Sequence, residues 1–504
     1  MSVSLLLSFV IGYFLLLLVV AYYTSRNSNN ESFFIGNRNS NWMLVAFGMI
    51  GTSLSGVTFV SVPGAVGKEA FAYFQITLGY LIGYLVIAYV LLPLYYRLNL
   101  TSIYNYLSTR LGFNSYKTGS SFFILSRTLG ATARLYLVVV ILQNTILDKL
   151  HVPFWLTTII ILAMIMLYTY EGGVKTIVWT DTLQTSCMLA GLIICVVYIL
   201  KTMNLSLGES LEQMSEKGYS TIFYTEPSSK LFFLKQILAG AFITVTMTGM
   251  DQEMMQKNIS VKTLPDAQKN VITLSIIMLV VILLFLVLGG LLYLYAESLG
   301  AKYETIVENG KEVTKFMLAN KDATADKLFP AVALEHMPPL VSVIFIIALI
   351  SALFPSADGA ITALTSSFCI DIIGMQRKAD WTEAKKKKIR QRVHITFAFV
   401  FFLFVMLFYW VNNPSMIGVI LKVAGYTYGP LLGLFSFGIL TKRQVNDKFV
   451  PVICILAPVI CYVLDKYQKS IFGSYEIGLE LLIINGLLTF IGLMIISKKQ
   501  TAAA

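Results

Sequence analysis

The 504-residue chain has little charge, little histidine and little cysteine. Only 13% of its residues are Asp, Glu, Lys or Arg, and it contains three histidines and five cysteines. The cysteines lie inside apolar stretches without metal-ligand spacing, and the sequence has no histidine cluster, phosphate-binding glycine loop or serine–base arrangement. We therefore expect packing roles for the cysteines, and we expect that the protein is not an enzyme.

Apolar residues are abundant instead. They make up 57% of the chain, and the mean hydropathy is strongly positive, as in proteins that cross a bilayer many times. A hydropathy window of about 19 residues predicts thirteen membrane spans in an all-α polytopic protein. The spans are 4–23, 41–67, 73–97, 119–148, 153–170, 177–201, 230–252, 270–298, 338–371, 391–412, 415–440, 449–466 and 477–496.

Basic residues collect in every second connection between these spans. The largest group runs from Arg377 to Arg392, and another contains Lys257, Lys262 and Lys269, so the net charge of +11 is concentrated in one set of loops. The positive-inside rule makes this set cytoplasmic and predicts an outside amino terminus and a cytoplasmic carboxyl terminus in the cell (inner) membrane. Nucleic acid is the rival partner for such charge, but no aromatic residues are interleaved for stacking. We expect the partners to be lipid and a small solute, with the protein as a monomer.

Polar residues at membrane depth are expensive and usually functional. The run from Ala352 to Asp358 places a serine and a carboxylate inside the predicted helix 338–371. Asp358 must face protein, water or a cation there, which makes a cation path the first hypothesis.

Two other spans are interrupted by small and hydroxylated residues. One contains Gly48–Gly56 followed by Pro63-Gly64, and the other, five spans later, contains Thr244–Gly249. Breaks at corresponding positions are typical of transporters built from inverted repeats with a site at the midplane. Close helix packing by small residues is the alternative explanation of either break alone.

Several motifs in order resemble the sodium/solute symporter family, in its bacterial type. They are Leu54-Ser-Gly56, Pro63-Gly-Ala-Val66, Tyr170-Glu-Gly-Gly173, Trp179-Thr-Asp-Thr-Leu-Gln184, Gly249-Met-Asp-Gln-Glu253 and the Ala352–Asp358 run. The resemblance implies a leucine-transporter-like fold in one transporter domain, 1–504. In it a leading helix, 4–23, precedes a 5+5 inverted repeat, 41–201 and 230–440, and two trailing helices lie within 449–496.

The resemblance also implies a sodium ion between the first and eighth core helices. Its ligands would be the carbonyls of Gly51, Leu54 and Ala352 and the hydroxyl of Ser356. Pro355 stands where the family pattern usually has a second hydroxyl, although proline frees the carbonyl of Ser351, which could supply the missing oxygen. Otherwise the site is weaker.

A second sodium site of the family pattern lacks its hydroxyls here but keeps its carboxylate, Asp181. Asp181 and Asp358 could form a pair that shares a proton or a cation. The alternative for Asp181 is an ordinary interfacial carboxylate.

Basic side chains inside the predicted spans indicate the charge of the solute. Arg134 lies near the middle of its span, where its planar fork suits a carboxylate, although a structural ion pair or a backbone-carbonyl cap explains it equally well. Lys422 is nearer a span end, where it could snorkel, and Arg127 is expected to snorkel. We predict a solute pocket lined by two of these cations and four polar residues. The six residues are Thr52, Ser53, Gln75, Arg134, Thr244 and Lys422.

The predicted activity is sodium-coupled import of a small organic solute, more consistent with an anion, by alternating access. A neutral sugar or amino acid stays open as the solute. A proton-coupled carrier is the mechanistic alternative, because of Pro355 and the pair Asp181 and Asp358. A channel and a non-transporting solute sensor are the alternatives from other classes.

Overall fold

Helices account for most of the structure, a computed structural model that describes residues 3–26, 29–170, 172–308, 311–411 and 416–499. Glu171 of the predicted motif and the predicted loop at 412–414 lie outside these residues. The first half of the described chain contains α1 (Val3–Thr24), α2 (Asn30–Ile35), α3 (Trp42–Ser53), α4 (Gly56–Glu69), α5 (Tyr73–Val86), α6 (Leu92–Arg97), α7 (Asn105–Arg110), α8 (Phe113–Leu142), α9 (Phe154–Thr169), α10 (Gly173–Met203) and α11 (Leu207–Glu216).

The second half continues with a similar set. It contains α12 (Phe233–Thr244), α13 (Gln252–Ile259), α14 (Leu264–Ser298), α15 (Leu328–Ala331), α16 (Pro339–Ser367), α17 (Glu383–Val411), α18 (Met416–Thr427), α19 (Gly429–Leu440), α20 (Val450–Lys466), α21 (Gln468–Phe472) and α22 (Leu481–Ile495).

The described residues also form short strands. The hydropathy analysis did not predict these strands. An antiparallel sheet in the order β1–β2–β3 follows α14, and β4 pairs with β5. Their bounds are β1 (Lys302–Glu308), β2 (Lys311–Leu318), β3 (Lys321–Asp322), β4 (Gln444–Val445) and β5 (Ser497–Lys498). The hairpin formed by β1 and β2 lies in the connection between α14 and α15.

The described helices agree with a protein that crosses the membrane many times. Eight are long and apolar enough to cross a bilayer, three further helix pairs would do so as bent spans, and α9 and α22 are shorter apolar helices. Each of the thirteen predicted spans overlaps one of these segments.

The first predicted break lies between α3 and α4, whose axes differ by 56°. Leu54 (φ −93°, ψ 82°) and Ser55 (φ −72°, ψ 171°) are the non-helical residues, and both are buried. Irregular backbone is tolerated at membrane depth only where protein or water replaces lipid, and burial meets that condition here. Pro63 interrupts nothing, because α4 continues through it.

The second predicted break follows a π-helical turn, Val245–Gly249, and bends the chain by 66°. Asp251 explains where the helix restarts, since its Oδ1 accepts hydrogen bonds from the amides of Glu253 (2.9 Å) and Met254 (3.3 Å). A third bend of 45°, between α18 and α19, was not predicted from the sequence.

Small residues bring α10 close to two other helices. A Cβ built on Gly51 of α3 would lie 2.4 Å from Oγ1 of Thr185, and one built on Gly191 would lie 2.4 Å from Cβ of Ala348 on α16. Neither glycine can therefore carry a side chain without displacing its neighbour. Helix α10 thus places Asp181 beside the first break and beside α16.

Candidate functional site

The first break packs against the middle of α16, where the predicted sodium ligands lie. A Cβ built on Gly51 would lie 3.5 Å from Cγ of Pro355, and one built on Gly56 would lie 3.7 Å from Cα of Leu353. Ala352 and Ser356 are buried at the same level of α16. The structure therefore brings the α3 end that carries Gly51 and Leu54 together with the predicted residues of α16.

The donor set at this contact suits sodium. Helix α3 ends at Ser53, so the carbonyls of its last turn, which include that of Gly51, have no partner further along their own helix. The hydroxyl of Ser356 donates to the carbonyl of Leu353 (2.8 Å), which leaves its oxygen lone pairs for a cation. Helix α16 continues through Pro355, whose missing amide frees the carbonyl of Ser351. Hard oxygen ligands of this kind are what sodium prefers, as calcium and magnesium do.

Thr185 adds a hydroxyl that sequence reasoning missed. Its Oγ1 accepts a hydrogen bond from the amide of Gly51 (3.1 Å), so it lies directly at the end of α3. The signal was available, because Thr185 follows the Trp179–Gln184 motif and is one helical turn beyond Asp181.

Asp181 is fully buried, so the alternative of an interfacial carboxylate is wrong. Its Oδ2 accepts hydrogen bonds from Nζ of Lys257 (2.6 Å) and from the hydroxyl of Thr52 (3.1 Å). Lys257, counted in the sequence as a loop charge, is only 1% exposed. That placement was wrong, because α13 continues inward from the second break and carries Lys257 into the core.

Asp358 has different partners from Asp181. Its Oδ2 accepts a hydrogen bond from the hydroxyl of Tyr168 (2.7 Å), and its Oδ1 accepts one from the amide of Gly359 (2.5 Å). Within the described residues, no hydrogen bond joins Asp358 to Asp181. The two carboxylates therefore accept hydrogen bonds from different donors in the described structure.

A second group of buried charged side chains lies next to the Lys257–Asp181 pair. The guanidinium of Arg127 bonds to Oε2 of Glu253, and its Nη1 lies 3.8 Å from Oδ2 of Asp251. The hydroxyl of Tyr428 donates to the same Asp251 oxygen (2.8 Å). Arg127 is 4% exposed, so the expectation that it snorkels to the membrane surface is wrong.

A cavity of about 100 Å³ opens beside the first break. Its lining comes from both broken helices and from α5, α8, α14 and α18. The lining residues are Thr52, Ser53, Ser55, Val57, Thr58, Tyr73, Tyr80, Tyr84, Arg127, Arg134, Ile243, Thr244, Met247, Thr248, Met254, Met278, Ile420 and Leu421.

Four of the six predicted solute residues lie in this cavity, namely Thr52, Ser53, Arg134 and Thr244. Gln75 does not line it, because its amide bonds to the carbonyls of Ala72 and Leu231 and to the amide of Tyr224. Lys422 does not line it either, since its Nζ lies 2.7 Å from Oδ2 of Asp465 and 60% of its side chain is exposed.

Arg134 differs from the other cation of the cavity. Arg127 is paired with Glu253, whereas no carboxylate of the described chain lies within 4.0 Å of the Arg134 guanidinium. Two tyrosines of the same lining, Tyr73 and Tyr80, share a hydrogen bond (3.2 Å) between their hydroxyls. The cavity therefore combines one unpaired guanidinium with several hydroxyl groups.

The chain is similar to transporters whose names state their substrates. Sodium-coupled monocarboxylate transporter 1 of Xenopus laevis is 25% identical over 456 residues, 87% of this chain and 67% of its own length. Sodium/sialic acid symporter NanT of Aliivibrio fischeri is 21% identical over 468 residues, 92% and 88% of the respective chains. The chain spans about two thirds of the length of the Xenopus and mouse monocarboxylate transporters, 67% and 64%.

The fold agrees with that of a solved transporter. A Na⁺-coupled sialic acid symporter in a substrate-bound outward-open state matches with a TM-score of 0.82 at 19% identity, over 98% of this chain and 99% of that one. This likeness shows the leucine-transporter-like fold that the motifs imply. The model of the sodium:solute symporter family, whose members are transporters and not enzymes, matches residues 33–448. The chain belongs to the sodium:solute symporter family.

Proposed function

We propose that the protein is a symporter that uses the sodium gradient to import a small organic solute bearing a carboxylate. The observation that carries this proposal is Arg134, a guanidinium in the cavity lining without a carboxylate partner in the described chain. A cation removed from water without a counterion is costly, and a carboxylate in the cavity would offset that cost.

The shape of arginine makes the solute class specific. A guanidinium offers parallel N–H donors that match the two oxygens of a carboxylate, which a lysine ammonium does not. The hydroxyls of Thr52, Ser53 and Thr244 supply neutral hydrogen-bonding groups for the rest of the solute. Monocarboxylates and sialic acid, named for the two relatives, are both carboxylic acids.

Sodium enters this proposal as a co-transported ion. It would bind between the end of α3 and α16 through Gly51, Leu54, Ala352 and Ser356, with Thr185 as an added hydroxyl. Thr52 and Ser53 lie between two of these ligands in the sequence and also line the cavity. Sodium that holds α3 against α16 therefore also fixes part of the solute pocket, which is a physical basis for coupling.

Alternating access would follow from movement between two repeats. We assign them to 41–201 and 230–440, with 4–23 leading and two helices in 449–496 trailing. The basic loops indicate an outside amino terminus and a cytoplasmic carboxyl terminus in the cell (inner) membrane, with a monomer as the transport unit. Sodium that moves inward down its gradient would then carry the solute into the cytoplasm.

The test is uptake by purified protein in proteoliposomes. Labelled monocarboxylates and sialic acid are compared with neutral sugars and amino acids under inward gradients of sodium, potassium or protons. We expect accumulation of a carboxylate only in the sodium gradient. Accumulation of neutral solutes alone would overturn the assignment of Arg134, and uptake driven by protons without sodium would overturn sodium coupling.

A further inference from the structure

Lys257, on α13, is a charged side chain buried among the oxygens of three other side chains. Its Nζ lies 2.7 Å from Oγ1 of Thr52, 2.6 Å from Oδ2 of Asp181 and 3.9 Å from Oε1 of Glu253. Thr52 belongs to the last turn before the first break, Asp181 to α10 and Glu253 to α13. The ammonium therefore holds both broken helices to α10.

The oxygens around Lys257 are not all used by it. Among the described residues, Oδ1 of Asp181 and Oε1 of Glu253 are buried and have no hydrogen-bond partner. An unpartnered carboxylate oxygen in the core is costly unless a cation lies nearby. The arrangement around Nζ thus has the oxygen-rich shell of a cation site, with a lysine ammonium as its cation.

Helix α16 leaves space for this ammonium. A Cβ built on Gly359 would lie 2.4 Å from Oε1 of Glu253 and 3.3 Å from Nζ of Lys257. A side chain at position 359 would therefore compete with both groups for the same volume. The residue that follows Asp358 is small where the lysine reaches α16.

We propose that Lys257 serves as a tethered cation at a second cation position formed by Thr52, Asp181 and Glu253. The ammonium supplies one positive charge to oxygens that could otherwise coordinate a sodium ion. Because Lys257 is part of α13, this charge cannot dissociate as a sodium ion would. This inference rests on the proposed function, because it concerns how many ions accompany the solute. It assigns one sodium per transport cycle, bound between α3 and α16.

Charge balance gives this inference a measurable consequence. One sodium that moves with one monovalent carboxylate carries no net charge, so uptake is electroneutral. When Lys257 is shortened and Asp181 is kept, the oxygens lose their fixed cation and become available to a second sodium. Uptake of the same solute would then move one net positive charge per cycle.

The test counts sodium ions directly and needs no solute. Binding of ²²Na⁺ to purified protein is measured for wild type, for Lys257→Ala and for the double variant Lys257→Ala with Asp181→Asn. We expect one ion per protein in wild type, two in Lys257→Ala and one in the double variant, in which the carboxylate that attracts the second ion is gone.

Each arm decides a separate point. Two saturable sodium ions in wild type would overturn the tethered-cation proposal while leaving sodium coupling intact. One ion in a folded Lys257→Ala protein would also overturn it. Wild type that binds no sodium would instead contradict the proposed function. If Lys257→Ala does not fold, the wild-type count alone still decides between one ion and two.

Discussion

The ammonium of Lys257 lies 2.6 Å from a carboxylate oxygen of Asp181, and neither side chain is more than 2% exposed. This pair connects α13, which follows the second break, to α10, which packs against the first. It lies next to Thr52, which also lines the solute cavity. One buried ion pair therefore joins the helix that follows the second break to the helix that packs against the first.

Asp181→Asn should destabilise the protein strongly. The change leaves the Lys257 ammonium buried without its nearest carboxylate, and removal of one partner of a buried pair costs about 3–5 kcal/mol. The matched control is Asp465→Asn, since Asp465 pairs with Lys422 at a similar distance but Lys422 is 60% exposed. Exposed pairs contribute about 0–1 kcal/mol.

The readout is thermal unfolding in detergent. Adding Lys257→Met to Asp181→Asn should recover much of the lost stability, because the double variant removes both charges of the pair. Equal unfolding temperatures for Asp181→Asn and Asp465→Asn would show that the buried pair is not the stabilising contact that the geometry indicates.

Arg134→Gln should abolish the preference for carboxylates while leaving sodium binding in place. Loss of a charge-assisted hydrogen-bonding partner should weaken solute affinity by about 2–4 kcal/mol, a factor of about 30 to 900. Arg134→Lys should restore affinity only in part, because an ammonium lacks the fork geometry.

Lys422→Gln is the matched control for Arg134→Gln. It removes a cation whose neighbour Leu421 lines the cavity but which does not line it itself. Solute affinity should stay near the wild-type value. A larger loss of affinity in Lys422→Gln than in Arg134→Gln would show that Lys422, and not Arg134, binds the solute carboxylate.

Ser356→Ala should raise the sodium concentration needed for half-maximal uptake, since it removes a hydroxyl oxygen beside the end of α3. Ser366→Ala is the control, because Ser366 lies further along α16 and its hydroxyl also bonds back to a carbonyl of its own helix (2.8 Å). Sodium-dependent thermal shifts of the two variants measure the difference. Indistinguishable sodium responses would move the ion away from Ser356.

Gly359→Ser should lower both stability and transport. A Cβ there would lie 2.4 Å from Oε1 of Glu253, whereas one built on Gly130 would meet nothing within 4 Å, so Gly130→Ser is the control. Overpacked core positions typically lose about 1–3 kcal/mol. Gly359→Ser with wild-type unfolding temperature and uptake would show that Lys257 does not need the space.

The spans and their breaks were predictable because each depends on local composition. Long apolar runs locate the helices, and Gly48–Gly56 and Thr244–Gly249 mark where two of them bend. The bend near Gly429-Pro430 also has a local signal, since proline weakens a helix, but apolar residues on both sides concealed it.

The role of Lys257 was not predictable from hydropathy. It follows an apolar span by a few residues, as loop lysines do, and its partners Thr52 and Asp181 are distant in sequence. Its spacing of four residues from Glu253 was the one local signal, since such pairs face each other on a helix. Only the tertiary fold shows that α13 points into the core.

The hairpin had a signal that hydropathy does not use. Asn309-Gly310, outside the described residues, separates the segments that form β1 and β2, and this dipeptide favours two-residue hairpin loops. Gln75 shows the opposite difficulty. Its position beside the pocket aromatics was plausible, but the loop at Tyr224 and Leu231 uses its hydrogen bonds.

Concentrative uptake by wild-type protein tests sodium-coupled transport of a carboxylate most directly. Proteoliposomes are prepared without internal sodium. A labelled carboxylic acid is added outside at the same concentration in two samples, one with sodium and one with potassium in the external buffer. We predict accumulation above the external concentration with sodium and simple equilibration at most with potassium. Equal accumulation in both buffers would contradict sodium-coupled symport by this protein.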